Sequence, residues 1–397
     1  MVRGRVLFVA TVYSHLAAFH KPFIRMLQSE GYVVHTAASP SDGRKNELED
    51  LGCECFDISF SRNPFYLASN AKAFLQLRDL LARNRYSLVH VHTPVAAFLL
   101  RLASTFQKQG PIIYTAHGFH FFRGAPLKNW VIYYSLEKLA KRWTDTLLVM
   151  NEEDYDLATR MGYKAQENLF LVNGVGVDLA FFDGQTGDTI RKELGLERND
   201  VIVSCIAEMI PRKNHIEILK AWPEITEECP NAHLLLVGTG RERAKLERVV
   251  HNKEIGNVHF LGFRSDVNDI ISTSDVVILA SKHEGLPRCI MEAMACGKPV
   301  IASNVRGSRD LVEHGVNGYL FQIGDKVAFV KYMRELIMDR DKREAMGRSG
   351  RRIIQEYSLD TVLSQVRHIY GRYIDLGHFA RDWDENTAFE YKRETAK

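Results

Sequence analysis

Ten short apolar runs rich in Val, Ile and Leu recur along the chain, separated by longer segments of helical period: RVLFVAT, YVVHTAA, SLVHVHT, PIIYTAH and DTLLVMN, then VIVSCIA, AHLLLVG, NVHFLGF, DVVILAS and KPVIAS. A strand with one face in water alternates apolar and polar residues; an unbroken apolar run is buried on both faces. Strands of that kind alternating with helices form right-handed βαβ units on parallel sheets, so the expected fold is α/β with doubly wound domains. A length of 397 residues exceeds one ordinary core and suits two. Turn-forming residues cluster in NGVGVD and DGQTGD, between Asn173 and Gly187, where one strand series ends and the next begins. The expected domains are therefore 1–175 and 176–374, with 375–397 as a tail.

Apolar content of 46% and charged content of 25% are those of a soluble globular protein. The six cysteines form no C-x-x-C pair, which favours free thiols in a reducing compartment, here the cytoplasm. The opening apolar run is too short for a signal peptide or a membrane span. Net charge is only +3, but it is unevenly distributed. Residues 1–173 hold 20 Lys+Arg against 15 Asp+Glu, and between Ile58 and Trp143 the acids are only Asp79 and Glu137 against 12 basic residues. That stretch would attract an anionic surface or polymer.

In open parallel sheets, ligands bind beyond the carboxyl ends of the strands. The loops at those ends are Thr11 to His15, His92 to Thr93 and His117 to Phe122 in the first half. In the second they are Glu208 to Asn214, Gly238 to Gly240, Gly262 to Asp266 and His283 to Arg288. If both sheets point these ends at a shared cleft, it would hold two substrates. In SKHEGLPRCIMEAMACGKP, Pro287 suits a first helical turn and Gly297 before Lys298-Pro299 is a stop, which predicts a helix of about ten residues. Backbone N–H groups from Gly285, Leu286, Pro287 and Arg288 onward would lie at its positive end, Pro287 itself contributing none, and that end favours an anion. Glu284 at the strand end could accept from hydroxyls near that anion, and Glu292, nearly two turns in, from a vicinal diol. A sugar nucleotide has these parts in this order. Two glutamates at such a spacing are ordinarily surface charge. What changes the weighing is that Arg212 and Lys213 also follow an apolar strand and open a helix, where a cation stabilises a leaving diphosphate.

With these residues in view, the chain resembles the retaining glycosyltransferases of family 4, of GT-B architecture with two facing Rossmann-like domains. The resemblance runs through ATVYSHLAAFHKPFIRMLQSEGYVVHTAA, YTAHGFHFFRGAP, VNGVGVD, PRKNH, LVGTG, FLGFRSDV and the E-x7-E element EGLPRCIME. It is most similar to the branch assembling bacterial capsular, exopolysaccharide or lipid-linked oligosaccharide chains. The resemblance implies Lys213 on the diphosphate, Glu284 on the donor-sugar hydroxyls and Glu292 on the ribose. Gly262, Phe263 and Arg264 would line the base, and His117 would face the transferred sugar. A histidine satisfied by strand-end backbone is the alternative for His117. Many members pair an arginine with the lysine, but Glu208 stands at the matching position, leaving Arg212 or Arg288 as the second cation. Thr11-Val12-Tyr13-Ser14-His15 replaces the glycine-rich first loop common in the family.

The resemblance further implies transfer from a nucleotide sugar, UDP-linked by family habit, to a lipid-linked saccharide, with retention and no dedicated metal. No back-side carboxylate nucleophile is evident in these loops, which favours front-face displacement. Asp154-Tyr155-Asp156 and Asp382-Trp383-Asp384 are weak metal candidates. The basic, aromatic-laced segments 63–86 and 119–143 suit an anionic membrane surface, here the inner face of the plasma membrane, or ordinary helices covering a sheet. The resemblance also implies that the last helix crosses back to the first domain, on which the tail 375–397 would dock. Rival readings are a UDP-sugar epimerase of the same architecture and a non-catalytic anion-binding module. Nucleic acid is not expected as a partner, since no motif for it is present.

Overall fold

The structure, a computed structural model, describes residues 2–61, 63, 66–183 and 189–377. The chain forms two compact units. One takes the residues up to Val175 together with those from Asp360 onward; the other is Gly176–Leu359.

The first unit carries seven strands: β1 (Gly4–Val12), β2 (Tyr32–Ser39), β3 (Glu54–Asp57), β4 (Leu88–His92), β5 (Ile112–Ala116), β6 (Thr146–Val149) and β7 (Leu169–Leu171). Their order is β3-β2-β1-β4-β5-β6-β7, all parallel. β1 lies between β2 and β4, pairing Val6 with Val34 on one side and with Leu88 on the other. Leu7 and Val9 join Val89, Val91 and Tyr114 in one buried layer under the helices Leu67–Arg83 and Pro94–Ala103. Within this layer Arg101 is fully buried. Its guanidinium donates to Glu137 Oε2 at 2.9 Å and to Thr144 Oγ1 at 3.2 Å, and lies 4.3 Å from the Tyr114 ring centroid.

The second unit carries β8 (Val201–Ile206), β9 (Ala232–Val237), β10 (Val258–Gly262), β11 (Val276–Leu279), β12 (Val300–Ser303) and β13 (Gly318–Phe321), in the parallel order β10-β9-β8-β11-β12-β13. Alternate residues serve opposite layers. Val276 and Ile278 of β11 pack on one face, and Val277 and Leu279 on the other. Both sheets are thus doubly wound, as the unbroken apolar runs require, and all six cysteines are free.

The helix Leu359–Gly371 leaves the second unit for the first. The sequence reading runs the second domain to residue 374, whereas residues from Asp360 onward pack with the first sheet. The chemistry behind this is specific. The Tyr370 hydroxyl lies 2.5 Å from His90 Nδ1, the Tyr373 hydroxyl 2.6 Å from Thr146 Oγ1, and Arg367 donates to Glu30 at 2.6 Å. Asp375 accepts, through its carbonyl, from Arg3 and the Tyr32 hydroxyl. The expected tail beyond residue 377, with Asp382-Trp383-Asp384, lies outside the described residues.

Candidate functional site

Each sheet has a switch point, where strand order reverses and the flanking loops diverge to open a crevice. In the second unit it falls between β8 and β11. The loop after β8 supplies Arg212 and Lys213, and the loop after β11 supplies Glu284. The three meet: Lys213 Nζ lies 2.5 Å from Glu284 Oε1, and Arg212 Nη1 lies 3.0 Å from Glu284 Oε2 and 3.2 Å from His283 O. Backbone and side chains fix the loops to each other. Lys282 N donates to Arg212 O at 2.8 Å, and the buried Arg306 donates to Glu284 O at 3.0 Å. Arg306, which no sequence motif singles out, is therefore a positioning residue.

Two glycines let the backbones close. A β-carbon at Gly240, φ +152°, would stand 2.5 Å from Met209 O in the loop bearing Arg212; one at Gly307, φ +76°, would stand 2.3 Å from Gly285 O. The helix after Glu284 is Arg288–Ala295, with Pro287 as its N-cap in extended conformation. Its eight residues are one short of the expected span at each end, Pro287 and Cys296 serving as caps. Ile290, Met291, Ala293, Met294 and Ala295 are buried, and so is Glu292, whose Oε1 lies 2.7 Å from Arg288 Nε.

The two carboxylates sit in opposite electrostatic states. Burial pushes the Glu284 carboxyl up, but the charges of Lys213 and Arg212 outweigh it and hold the group below its ordinary value. Burial raises Glu292, and Arg288 only partly offsets it. The structure also separates the two candidates for the second cation: Arg212 joins Lys213 on Glu284, whereas Arg288 is engaged with Glu292. Glu208 is exposed on the same loop. Gly262 ends β10 at φ +68°, Phe263 is 80% exposed, and Arg264 is bound by Glu193 and Asp266 at 2.6–2.8 Å. Phe263 thus offers an open ring face, while Arg264 is committed to its neighbours.

In the first unit the switch point falls between β1 and β4. His117 follows β5, and its Nε2 lies 3.2 Å from His15 Nε2, in the helix after β1, and 3.3 Å from His92 Nδ1, the last residue of β4. His20 completes the group, its ring stacked on His92 with centroids 3.8 Å apart. Burial, then repulsion by neighbouring imidazoles, lowers the pKa of His20, His92 and His117, so they are neutral at physiological pH. Thr93 holds the turn beside them at φ +64°, fixed by its hydroxyl's contacts with Thr11 N and Oγ1 at 2.9 and 2.7 Å. The sequence reading flagged His117 and the loops of His15 and His92, but not their meeting, and it missed His20. Of the first D-x-D string, Asp154 is buried and accepts from Phe119 N at 3.1 Å, bracing the His117 loop, while Asp156 faces solvent. On one helix those two carboxylates point apart and cannot close on one ion.

Two doubly wound parallel sheets in one chain, each gathering polar side chains at its switch point, define a protein of GT-B class. Residues 187–353 match the family described as "Glycosyl transferases group 1", and residues 5–151 match "Glycosyl transferase 4-like". EpsD of Bacillus subtilis (strain 168), a glycosyltransferase by name, is 33% identical over 381 residues, covering 94% of this chain and 97% of EpsD. A UDP-Gal:alpha-D-GlcNAc-diphosphoundecaprenol alpha-1,3-galactosyltransferase of Escherichia coli is 25% identical over 354 residues, covering 87% and 90%. The crystal structure of Anabaena HepE in complex with UDP and glucose is similar at TM-score 0.75 and 22% identity, covering 93% of this chain and all of that one, a likeness of fold. The chain belongs to the group 1, family 4-like glycosyltransferases. It is therefore a transferase, which decides against the epimerase and the non-catalytic module.

Proposed function

We propose that this glycosyltransferase moves a sugar, with retention, from a UDP-linked donor to a lipid-diphosphate-linked saccharide in the assembly of a bacterial surface glycan. The observation that carries the donor half is the Arg212–Lys213–Glu284 cluster at the second switch point, with Glu292 on the adjoining helix. A diphosphate entering beside Lys213 and Arg212 takes over their charge, together with the N–H groups that open the helix Arg288–Ala295. Glu284 is thereby released to accept from sugar hydroxyls. Glu292, raised by burial, accepts from the ribose diol, and the exposed Phe263 ring covers the base. The donor site needs no metal, since cations and backbone dipoles meet the leaving charge.

In the transfer step the bond from C1 to the diphosphate oxygen breaks with its electron pair going to UDP. The acceptor hydroxyl oxygen bonds C1 from the same face, and its proton passes to the departing phosphate oxygen. Electrostatic stabilisation of that oxygen supplies most of the rate. The lipid-linked acceptor is supported by the diphosphoundecaprenol acceptor in the name of the Escherichia coli relative. Membrane association is supported by one exposed stripe on the segment from Leu127 to Arg142. Leu127, Lys128, Val131, Lys138, Leu139 and Arg142 face outward at helical spacing. Apolar side chains with flanking cations suit an anionic leaflet at the inner face of the plasma membrane. No helix among the described residues is long and apolar enough to cross a membrane.

The test is a transfer assay with a panel of UDP-sugars and an undecaprenyl-diphosphate-linked acceptor, the product's anomeric configuration being read by NMR. Retained configuration is expected. Inverted product overturns the front-face mechanism, and failure of every UDP-sugar both to react and to raise the melting temperature overturns the donor assignment.

A further inference from the structure

We propose that His15, His20, His92 and His117 form a binding site for a divalent late first-row metal ion, Zn²⁺ being the best fit. The family resemblance implies no dedicated metal, and the four side chains come from separate places: the helix Tyr13–Phe19, the residue that follows it, the end of β4 and the loop after β5. Folded, they present one ring nitrogen each, all within 4.8 Å of one another. The tightest separations, 3.2 Å for His15 to His117 and 3.3 Å for His117 to His92, are near the edge of a ZnN₄ tetrahedron, about 3.3–3.4 Å for Zn–N bonds of 2.0–2.1 Å. The remaining pairs lie within 4.8 Å, and binding an ion would require the rings, the stacked His20 and His92 included, to turn until those pairs reach the same edge.

A second observation points to a ligand. His20 Nε2 is buried with no hydrogen-bond partner, in a side chain that is 3% exposed. Buried polar atoms are otherwise almost always satisfied, so this orphan within the cluster requires an explanation. Neighbouring His90 shows what a structural histidine looks like here, with Nδ1 on Tyr370 and Nε2 on Thr115 at 2.7 Å. A neutral imidazole offers a lone pair, and an all-imidazole set selects zinc, copper or nickel over magnesium or calcium. The inference rests on none of the donor-site assignments. It changes what His117 does, since a ring that gives its lone pair to an ion acts on substrate only through that ion.

The test uses the full chain purified without a polyhistidine tag and stripped with a chelator. Calorimetric titration with Zn²⁺ at neutral pH is expected to show a single tight site, and Co²⁺ in its place should give the visible bands of tetrahedral coordination. His15→Gln with His117→Gln should weaken Zn²⁺ binding by about 100-fold or more, because disturbing even an outer partner of a ligand costs 10–100-fold. His233→Gln, which breaks a two-histidine contact of 3.1 Å in the second unit, should leave it unchanged. Circular dichroism checks that the variants fold, and should the pair fail to, His15→Gln alone at a half-buried position serves. Failure of the wild type to take up Zn²⁺, or uptake undiminished in the cluster variants, overturns the proposal.

Discussion

Glu292 is expected to carry a stability cost for the sake of the donor, and Glu292→Gln separates the two. Removing a carboxylate from water costs several kcal/mol. Its counter-charge is Arg288 at 2.7 Å, and an attraction of about 6 kcal/mol at an effective dielectric of 20 is roughly halved, to about 3, because the Arg288 side chain is 41% exposed. The balance, about 1–2 kcal/mol against the charged form, agrees with the raised pKa. Glutamine keeps the shape and sheds the charge, so the free variant should melt about 2–8 °C higher at neutral pH. The sign follows from linkage. A carboxyl raised in the folded state contributes stability below its unfolded value of 4.5 and loses it as pH climbs through the folded value. The gain of Glu292→Gln should therefore fade as pH falls to about 4.

Donor binding should move the other way. UDP at about 100 times its dissociation constant adds about 2.7 kcal/mol to the wild type, or about 5–10 °C. Losing charge-assisted bonds to a diol, each about 1.5–3 kcal/mol, weakens binding about 100-fold and shrinks the UDP-induced shift to about 1 °C. Differential scanning fluorimetry across pH, with and without UDP, reads both effects. A free variant that melts lower refutes the electrostatic argument; an undiminished UDP shift refutes the ribose contact.

Glu284→Gln should behave oppositely: the stabilisation conferred by a depressed carboxyl is present above 4.5 and vanishes in acid, so the variant should lose about 2–3 kcal/mol at neutral pH in urea titrations and converge with the wild type as pH falls through the lowered value. Lys213→Ala should reduce kcat by about 10²–10³, the loss seen when a donor to developing oxyanion charge is removed, measured by radiochemical transfer. Arg101→Ala strands Glu137 in the first core and should destabilise by about 3–5 kcal/mol, read as a lower urea midpoint. Lys128→Glu with Lys138→Glu and Arg142→Glu should cut sedimentation with phosphatidylglycerol vesicles about 100-fold or more, at about 1 kcal/mol per basic residue, and unchanged sedimentation would remove the membrane-facing stripe.

Ten of the thirteen strands among the described residues are visible in the sequence as apolar runs; β3, β7 and β13 are not. All three are sheet edges of only three or four residues. ECFD of β3 has no fully buried residue, so the pressure that makes an interior strand apolar is missing there. Lys213 and Glu284 were legible although 71 positions apart, because both follow strands that flank a switch point and that geometry is independent of the intervening chain. Which arginine accompanies Lys213 was not legible: Arg212 and Arg288 both sit at helix starts, and only side-chain reach sends one to Glu284 and the other to Glu292. His20 escaped for a similar reason, at the joint of two short helices where no strand end announces it.

The return of the Leu359–Gly371 helix to the first sheet sets a schedule for biosynthesis. The chain exits and re-enters at neighbouring points, Val177 N donating to Tyr357 O at 3.0 Å and Leu359 N to Val177 O at 2.9 Å. Gly176–Leu359 is uninterrupted and can close as soon as it leaves the ribosome, whereas His90 and Thr146 meet Tyr370 and Tyr373 only once the chain has been made through both units. A message broken before those codons thus yields a product whose second unit can close while its first sheet lacks the helix that caps it.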